Sequence, residues 1–444
     1  MIGILGNRRF AALFSAQVVA LLGTGLLTVA LGLLAYDLAG DRAGAVLGTA
    51  LTIKMLAYVG LSPVAQAMVQ GVPRRAVLVI ADLVRAGTAL CLPFVTEIWQ
   101  IYVLIFVLQA ASATFTPAFQ ATIPDILPDE ADYTRALSLS RLAYDLENLL
   151  SPALAGLLLT VLTYNALFMG TVLGFAASAL VIARTTLPRV GGQAAERPFR
   201  ERLLRGARIY LATPRLRGLL SLNLAASAAG AFVLVNTVVV VRGVYAGAES
   251  DVALAMAAFG AGSMAAALAL PRLLHRLEDR FVMLWGAQGL VALTLGLALW
   301  LAVGDWPAWA GFLGVWALMG LAYACVLTPS GRLLRRSAHQ ADRAAVFAAQ
   351  FALSHACWLV AYPLAGWAGV RLGMGPALAL LAGLALIGVL AARRLWPADL
   401  PVAILHDHPD LPADHPHLRA HQGRRRHAHP FVIDDEHRVW PTQG

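Results

Sequence analysis

Eight of the eleven histidines crowd into the last 48 residues, from Pro397 onward: His406, His408, His415, His417, His421, His427, His429 and His437. Three His-x-His pairs stand out, at 406/408, 415/417 and 427/429. In extended backbone, residues i and i+2 point the same way roughly 6–7 Å apart, so two rings can converge on one ion. Prolines 409, 412, 416 and 430 are expected to keep the segment from becoming helical. Imidazole suits Ni2+, Cu2+, Co2+ and Zn2+, and affinity favours copper over nickel over cobalt, so the tail specifies a class of metal and not one member. Asp407, Asp410 and Asp414 offer additional oxygen ligands. The same composition also fits a disordered, solvating tail, whose Arg424, Arg425 and Arg426 repel a dication or meet anionic lipid.

A second set of chemistry-bearing residues lies inside apolar runs, where ionisable groups are costly unless they serve a path or a pair. Lys54 is the chain's single lysine, placed either to neutralise a buried carboxylate in a cavity or to snorkel. The stretch Arg141-Leu-Ala-Tyr-Asp-Leu-Glu-Asn-Leu-Leu-Ser151 puts Asp145 and Asn148 about one helical turn apart, with Glu147 between them. These are oxygen ligands or a proton-coupling carboxylate, or else Asp145 pairs with Arg141 or Arg85. His355 is the best nitrogen ligand near a midplane, with Tyr323 and Cys325 as companions on the preceding span; a helix–helix hydrogen bond is its alternative role. Cys357 cannot share an ion with His355, because positions i and i+2 on a helix diverge by about 200°. Cys91, Cys325 and Cys357 all sit in apolar blocks without disulfide spacing, as packing residues do.

The elements that hold these residues follow from composition. Of 444 residues, 59% are hydrophobic and 13% charged, against about 25% charged in a soluble domain. The apolar residues fall into blocks long enough to cross a hydrocarbon core of about 30 Å as helices, and too long and uniform for barrel strands. The expected spans are 10–38, 44–70, 76–95, 98–122, 141–163, 165–187, 217–242, 251–275, 279–303, 307–329, 345–372 and 374–396. With the N-terminus in the cytoplasm, the inside loops hold 23 arginines and the outside loops only Arg42, Arg242 and Arg371. One missed helix would destroy that bias. Both termini are therefore expected in the cytoplasm, and the short basic start, Met1 to Arg9, is expected to lead into the first span without cleavage. The net charge of +9 does not indicate nucleic acid, because the arginines lie between apolar blocks. No Gly-rich phosphate loop and no His-Glu-x-x-His occur, so the reading is not an enzyme and energy is expected from an ion gradient.

A basic stretch at 188–216 separates residues 1–187 from 217–396, giving two six-helix bundles and a tail, 397–444, expected to be disordered. Two similar bundles imply a substrate site between them near midplane. Short basic turns recur at matching places, Gly71-Val-Pro-Arg-Arg75 and Pro271-Arg-Leu-Leu-His-Arg276.

With these features in place the sequence resembles the major facilitator superfamily over its whole hydrophobic length. The turn at Arg74 and Arg75 is similar to the family's loop between helices two and three, with Gln66, Gln70, Gly71 and Pro73 standing where Gly, Asp, Arg and Gly are usual. Asn7-Arg-Arg-Phe10 leading to Gln17, Asp82-Leu-Val-Arg85, Phe115-Thr-Pro-Ala-Phe-Gln-Ala121 with Pro124, Ala136-Leu137 and Ser151-Pro-Ala-Leu-Ala-Gly156 resemble the branch of siderophore, macrolide and nickel exporters. The histidine-rich tail looks like nickel-resistance exporters of the NreB type. That resemblance implies an all-α, twelve-helix transporter of the bacterial inner membrane exporting Ni2+ or Co2+, with the proton as coupling ion and no resident cofactor. Efflux of an organic drug or siderophore is the alternative within the fold, and a membrane metal sensor without transport is the alternative outside it.

Overall fold

The structure, a computed structural model, describes residues 2–39, 43–69, 71–188, 198–400 and 403–441, apart from 409–411, 413–414, 421 and 423. Six helices form the first bundle: α1 (Arg8–Ala39), α2 (Ala43–Met68), α3 (Arg74–Cys91), α4 (Ile98–Ile126), α5 (Glu130–Leu159) and α6 (Tyr164–Arg184). After α7 (Phe199–Ala212) come α8 (Pro214–Gly243), α9 (Glu249–Leu273), α10 (Asp279–Val303), α11 (Trp309–Leu327), the short α12 (Ser330–Arg336), α13 (Arg343–Leu372) and α14 (Met374–Leu395). Leaving out α7 and α12 gives twelve long helices, and among the described residues ten of them, all but α2 and α5, meet the length and apolarity needed to cross a membrane.

The two bundles repeat one packing scheme. In the first, α1 packs on α6, α2 on α4, and α3 on α4 and α6. In the second, α8 packs on α14, α9 on α11, and α10 on α11 and α14. Lipid gives no hydrophobic drive between helices, so close backbone approach at small residues does the packing. Gly262 on α9 and Gly320 on α11 show this: a Cβ on Gly262 would overlap the Ala317 carbonyl, and one on Gly320 the Phe259 carbonyl. The halves meet along two seams, α2 and α4 against α13, and α5 against α9. Gly71 and Gly373, at φ +91° and +89°, make the turns from α2 to α3 and from α13 to α14 in the left-handed region that glycine enters without strain.

Most expected spans agree with the helices to within a few residues, and α5 is the main departure. It begins at Glu130 and not near 141, because Asp129 caps it by accepting from the Asp132 N–H at 2.9 Å, and its charged first turns continue as helix outside the apolar run. Within the expected linker, residues 199–212 form the amphipathic α7. The expectation of a disordered tail is not met over the described stretches, where β1 (Ala403–Asp407) pairs antiparallel with β2 (Arg426–Pro430) around α15 (Pro416–Ala420). Pro416 opens that helix, a position where proline's missing N–H costs nothing.

Candidate functional site

Lys54, Tyr58, Glu147 and His355 come together where the halves meet. The Lys54 ammonium lies 5.7 Å from the Tyr58 ring centre and interacts electrostatically with Glu147 on α5 and His355 on α13. Glu147 faces α1, its Oε1 3.6 Å from where a Gly25 Cβ would stand. The Tyr58 hydroxyl donates to Gln109 Oε1 at 2.8 Å, and its ring centre lies 4.7 Å from those of Phe351 and His355. His355 Nδ1 donates to the Phe351 carbonyl at 2.7 Å, which aims the other ring nitrogen away from its own helix as a ligand or acceptor. Gln17, which accepts from Ser140 at 3.1 Å, borders the same region through a hydrogen bond with Tyr144.

Three expected companions are placed elsewhere. Asp145 pairs with Arg141 at 2.8 Å and accepts from Ser263 of α9 at 2.7 Å, so it belongs to the α5–α9 seam. Arg141 also donates to Ser263 at 3.0 Å and lies 5.0 Å from the Tyr323 ring. Because Tyr323 faces that seam, Cys325 two positions on faces the other way and packs beside Leu270, Leu274 and Val282, which corrects its grouping with His355. Cys357 is buried, its Sγ bonded to the Leu353 carbonyl at 3.5 Å. The Asn148 side chain lies outside the described residues.

At the arginine-rich end the halves are tied by ion pairs. Asp125, at the end of α4, pairs with Arg74 of its own half and with Arg343 of the other at 2.6 Å. Glu130 pairs with Arg332 at 2.6 Å and with Arg336, and both arginines also reach Asp279, at 3.1 and 3.0 Å. Arg335 donates to the Pro128 carbonyl, and Ser62 of α2 donates to the Ala348 carbonyl of α13 at 3.4 Å. Arg74 thus joins this latch while Arg75 is exposed. The acids Asp125, Glu130 and Asp279 escape sequence reasoning, since each ordinary-looking carboxylate gains meaning only from an arginine distant along the chain.

The third centre is the tail. Strand register sets His406 opposite His427 and Ile404 opposite His429, and opposed residues share a sheet face, so the two His-x-His pairs combine. His417, from α15, completes a group with His406, His408, His427 and His429 whose ligand atoms all lie within 4.8 Å of one another. His437 borders this group, its Nε2 3.0 Å from that of His406. The Nε2 atoms of His408 and His417, and of His417 and His427, are likewise 3.0 Å apart. This is the separation of two nitrogens held about 2.1 Å from one ion at a right angle. The outer nitrogens are anchored: Nδ1 of His406 to the Ile404 carbonyl at 2.8 Å, of His427 to Arg424 at 2.7 Å, of His429 to Pro430 at 2.9 Å, and of His437 to Asp434 at 2.8 Å. Anchoring Nδ1–H fixes the tautomer and turns the Nε2 lone pair inward. His415 stands outside the group, its Nδ1 accepting from the His417 N–H at 3.3 Å, and His421 lies outside the described residues.

Electrostatics favour deprotonated ligands. Burial, together with the neighbouring imidazoles and against the backbone hydrogen bond, lowers His406 to about 4. Burial and the same neighbours lower His417 to about 4 and hold His408 below its usual value. Burial alone would raise the Asp434 carboxyl, but hydrogen bonds from His339 and His437 hold it well below the usual carboxylate range.

Residues 13–310 match the family described as Major Facilitator Superfamily. The chain is 26% identical over 188 residues to Macrolide efflux protein A of Streptococcus pyogenes, covering 41% of this chain and 46% of that protein. Over 127 residues it is 28% identical to the uncharacterized MFS-type transporter YfiS of Bacillus subtilis, covering 29% and 30%. The matched segments thus span less than half of each relative's own length. Two crystal structures share the fold at low identity. The human organic anion transporter MFSD10 (TETRAN) gives a TM-score of 0.74 at 14% identity, covering 87% of this chain and 99% of that one. A bacterial homologue of the iron transporter ferroportin, in an outward-facing state, gives 0.69 at 16%, covering 87% and 98%. With a family match over more than half its length and the family's fold, the chain belongs to the Major Facilitator Superfamily.

Proposed function

We propose that this protein is a secondary transporter that exports a divalent transition-metal cation, Ni2+ or Co2+, from the bacterial cytoplasm across the inner membrane in exchange for protons. The observation that carries this reading is the imidazole cluster of the tail: five histidines bring their ligand atoms within 4.8 Å of one another, and the Nε2 atoms of His406 and His437 stand 3.0 Å apart, a spacing met by a shared proton or by one ion between them. Burial and the neighbouring imidazoles lower His406 to about 4, which leaves its ring available to a metal at neutral pH. The arginine bias favours a cytoplasmic tail, where it captures the ion before transport. Glu147 beside Lys54 is a carboxylate able to exchange a proton for cation charge, and His355 offers a nitrogen from the opposite half. Rocking of the halves about this pair would carry the ion across, with the arginine latch closing the cytoplasmic side.

Efflux of an organic compound is the second reading, favoured by the macrolide efflux relatives and by the contacting aromatic rings Tyr58–Phe351, Tyr323–Trp358 and Trp358–Tyr362. Inside-out vesicles carrying a pH gradient decide between them when Ni2+, Co2+, Zn2+ and a macrolide are offered in turn. Metal accumulation that Glu147→Gln abolishes supports export of metal. Macrolide uptake without metal uptake replaces it with drug efflux, and metal bound at the tail without any flux identifies a sensor.

A further inference from the structure

The tail is more than a tether for histidines, because residues 431–440 are built into the arginine-rich face of the second half. Phe431, Ile433 and Trp440 are buried in the core of the second half. Arg215, at the start of α8, donates to the Phe431 carbonyl at 3.5 Å and lies 5.6 Å from the Trp440 ring, while also holding Ser337 at 2.7 Å and the Arg336 carbonyl at 2.8 Å.

Two polar relays run from the imidazole cluster to the turn before α13. In the first, Asp434 holds His437 through Oδ1, at 2.8 Å to the ring and 2.7 Å to the backbone N–H, and meets His339 through Oδ2 at 3.2 Å. In the second, Arg205 of α7 donates to Asp435 at 2.8 Å and to Asp342 at 2.7 Å. Asp342 is the residue before α13, and the next residue, Arg343, makes the cross-half pair with Asp125. The helix carrying Arg205 spans the seam as well: α7 packs on α13, where Gly206 lets it meet the Ala345 carbonyl, and on α2 of the other half. Metal ligand, tail anchor, α7 and latch therefore form one connected set of contacts.

We infer that metal occupancy of the tail cluster is coupled to the conformation of the transporter: a filled cluster holds residues 431–440 in place, clamps α7 across the seam and favours the cytoplasm-closed state. The inference rests on the tail being a metal site, as proposed above. Coupling of this kind is reciprocal, so opening the latch must weaken metal binding by the factor by which metal closes it. A ligand with equal affinity for both states would shift nothing.

The test uses full-length protein in nanodiscs, with Ni2+ alone as probe and a chromogenic chelator as competitor. Glu130→Gln and, separately, Asp125→Asn loosen the latch from the first half without touching the tail. Either should weaken Ni2+ binding at the tail at least fivefold, the lower end of typical coupling. The reverse measurement follows alkylation of a single cysteine introduced by Ser62→Cys, in a background where Cys91, Cys325 and Cys357 are alanine. Ni2+ should slow that reaction in the otherwise unaltered protein and leave it unchanged in the double variant Arg205→Gln/Asp434→Asn. Equal Ni2+ affinity with latch intact and loosened, or an alkylation rate indifferent to Ni2+, overturns the coupling while leaving the metal site standing. Absence of Ni2+ binding by the unaltered protein overturns both.

Discussion

Replacing Arg343 by alanine isolates the contribution of one cross-half contact to closure. Arg343 reaches Asp125 at 2.6 Å, with side chains 19% and 3% exposed, whereas Arg74 holds the same carboxylate from its own half. Removing Arg343 therefore leaves no orphaned buried charge, and the loss is one charge-assisted hydrogen bond in a largely dry site. Such a bond contributes about 1.5–3 kcal/mol. When the halves part, Arg343 becomes hydrated and Asp125 retains Arg74, so nearly all of that energy distinguishes the closed from the open state. At about 1.4 kcal/mol per factor of ten, the closed-to-open ratio should fall roughly 10- to 100-fold. Ser62 reports on this directly, being 1% exposed and bonded across the seam to Ala348. In the background free of Cys91, Cys325 and Cys357, alkylation at Ser62→Cys should accelerate by that factor when Arg343→Ala is added. Acceleration of less than twofold, with folding intact by size-exclusion profile, would refute the idea that these pairs hold the arginine-rich side shut.

Three further outcomes are expected. Because His406 and His417 are lowered to about 4 in the docked tail and sit near 6.5 when free, the unfolded tail binds more protons between those values. Metal-free tail order should thus be complete above about pH 6.5 and decline toward pH 4, with His339, raised by its hydrogen bond to Asp434, contributing in the opposite sense on the acid side. Hydrogen exchange of the 403–440 peptides between pH 7.5 and 4.5 measures this, and protection rising with acidity would contradict it. Glu147→Gln should abolish pH-driven flux while Ni2+ affinity of the tail stays within twofold, as equilibrium titration can check. Gly320→Leu forces side-chain atoms into the Phe259 carbonyl and should cost about 1–3 kcal/mol or more, read as a lowered melting temperature in detergent, with Gly296→Leu, where nothing lies within 4 Å, as the tolerated control.

What could be read from the sequence was what hydropathy and charge encode locally. The twelve spans and the arginine-rich end follow from apolar runs and their breaks, and the structure gathers Arg74, Arg332, Arg335, Arg336 and Arg343 at one end. The helix α7 was illegible to the same method: in Phe-Arg-Glu-Arg-Leu-Leu-Arg-Gly-Ala-Arg-Ile-Tyr-Leu-Ala, charge interrupts every apolar run, and only packing on α2 and α13 gives its apolar face a partner. The histidines marked the tail as a metal candidate, but not its sheet, because the register joins residues 403–407 to 426–430 across a loop that local pattern does not constrain.

The neighbouring acids of α5 show how far the sequence could go toward a transport site. Asp145 and Glu147 read as near-equivalent intramembrane carboxylates, yet two positions on a helix differ by about 200°, so they cannot serve one site. The structure assigns them opposite faces: Asp145 turns to Arg141 and Ser263 in the seam with α9, and Glu147 turns toward α1 at Gly25 and to the field of Lys54. A carboxylate already held by a guanidinium and a hydroxyl gains little by releasing a cation or taking a proton. Glu147, whose counter-charge is the flexible ammonium of Lys54, keeps the freedom to exchange one for the other. If this division is right, Asp145→Asn should disturb closure of the α5–α9 seam and leave proton coupling intact, while Glu147→Gln should do the reverse. Stoichiometry measured in vesicles for the two variants separates these outcomes, and loss of proton coupling in Asp145→Asn alone would exchange their roles.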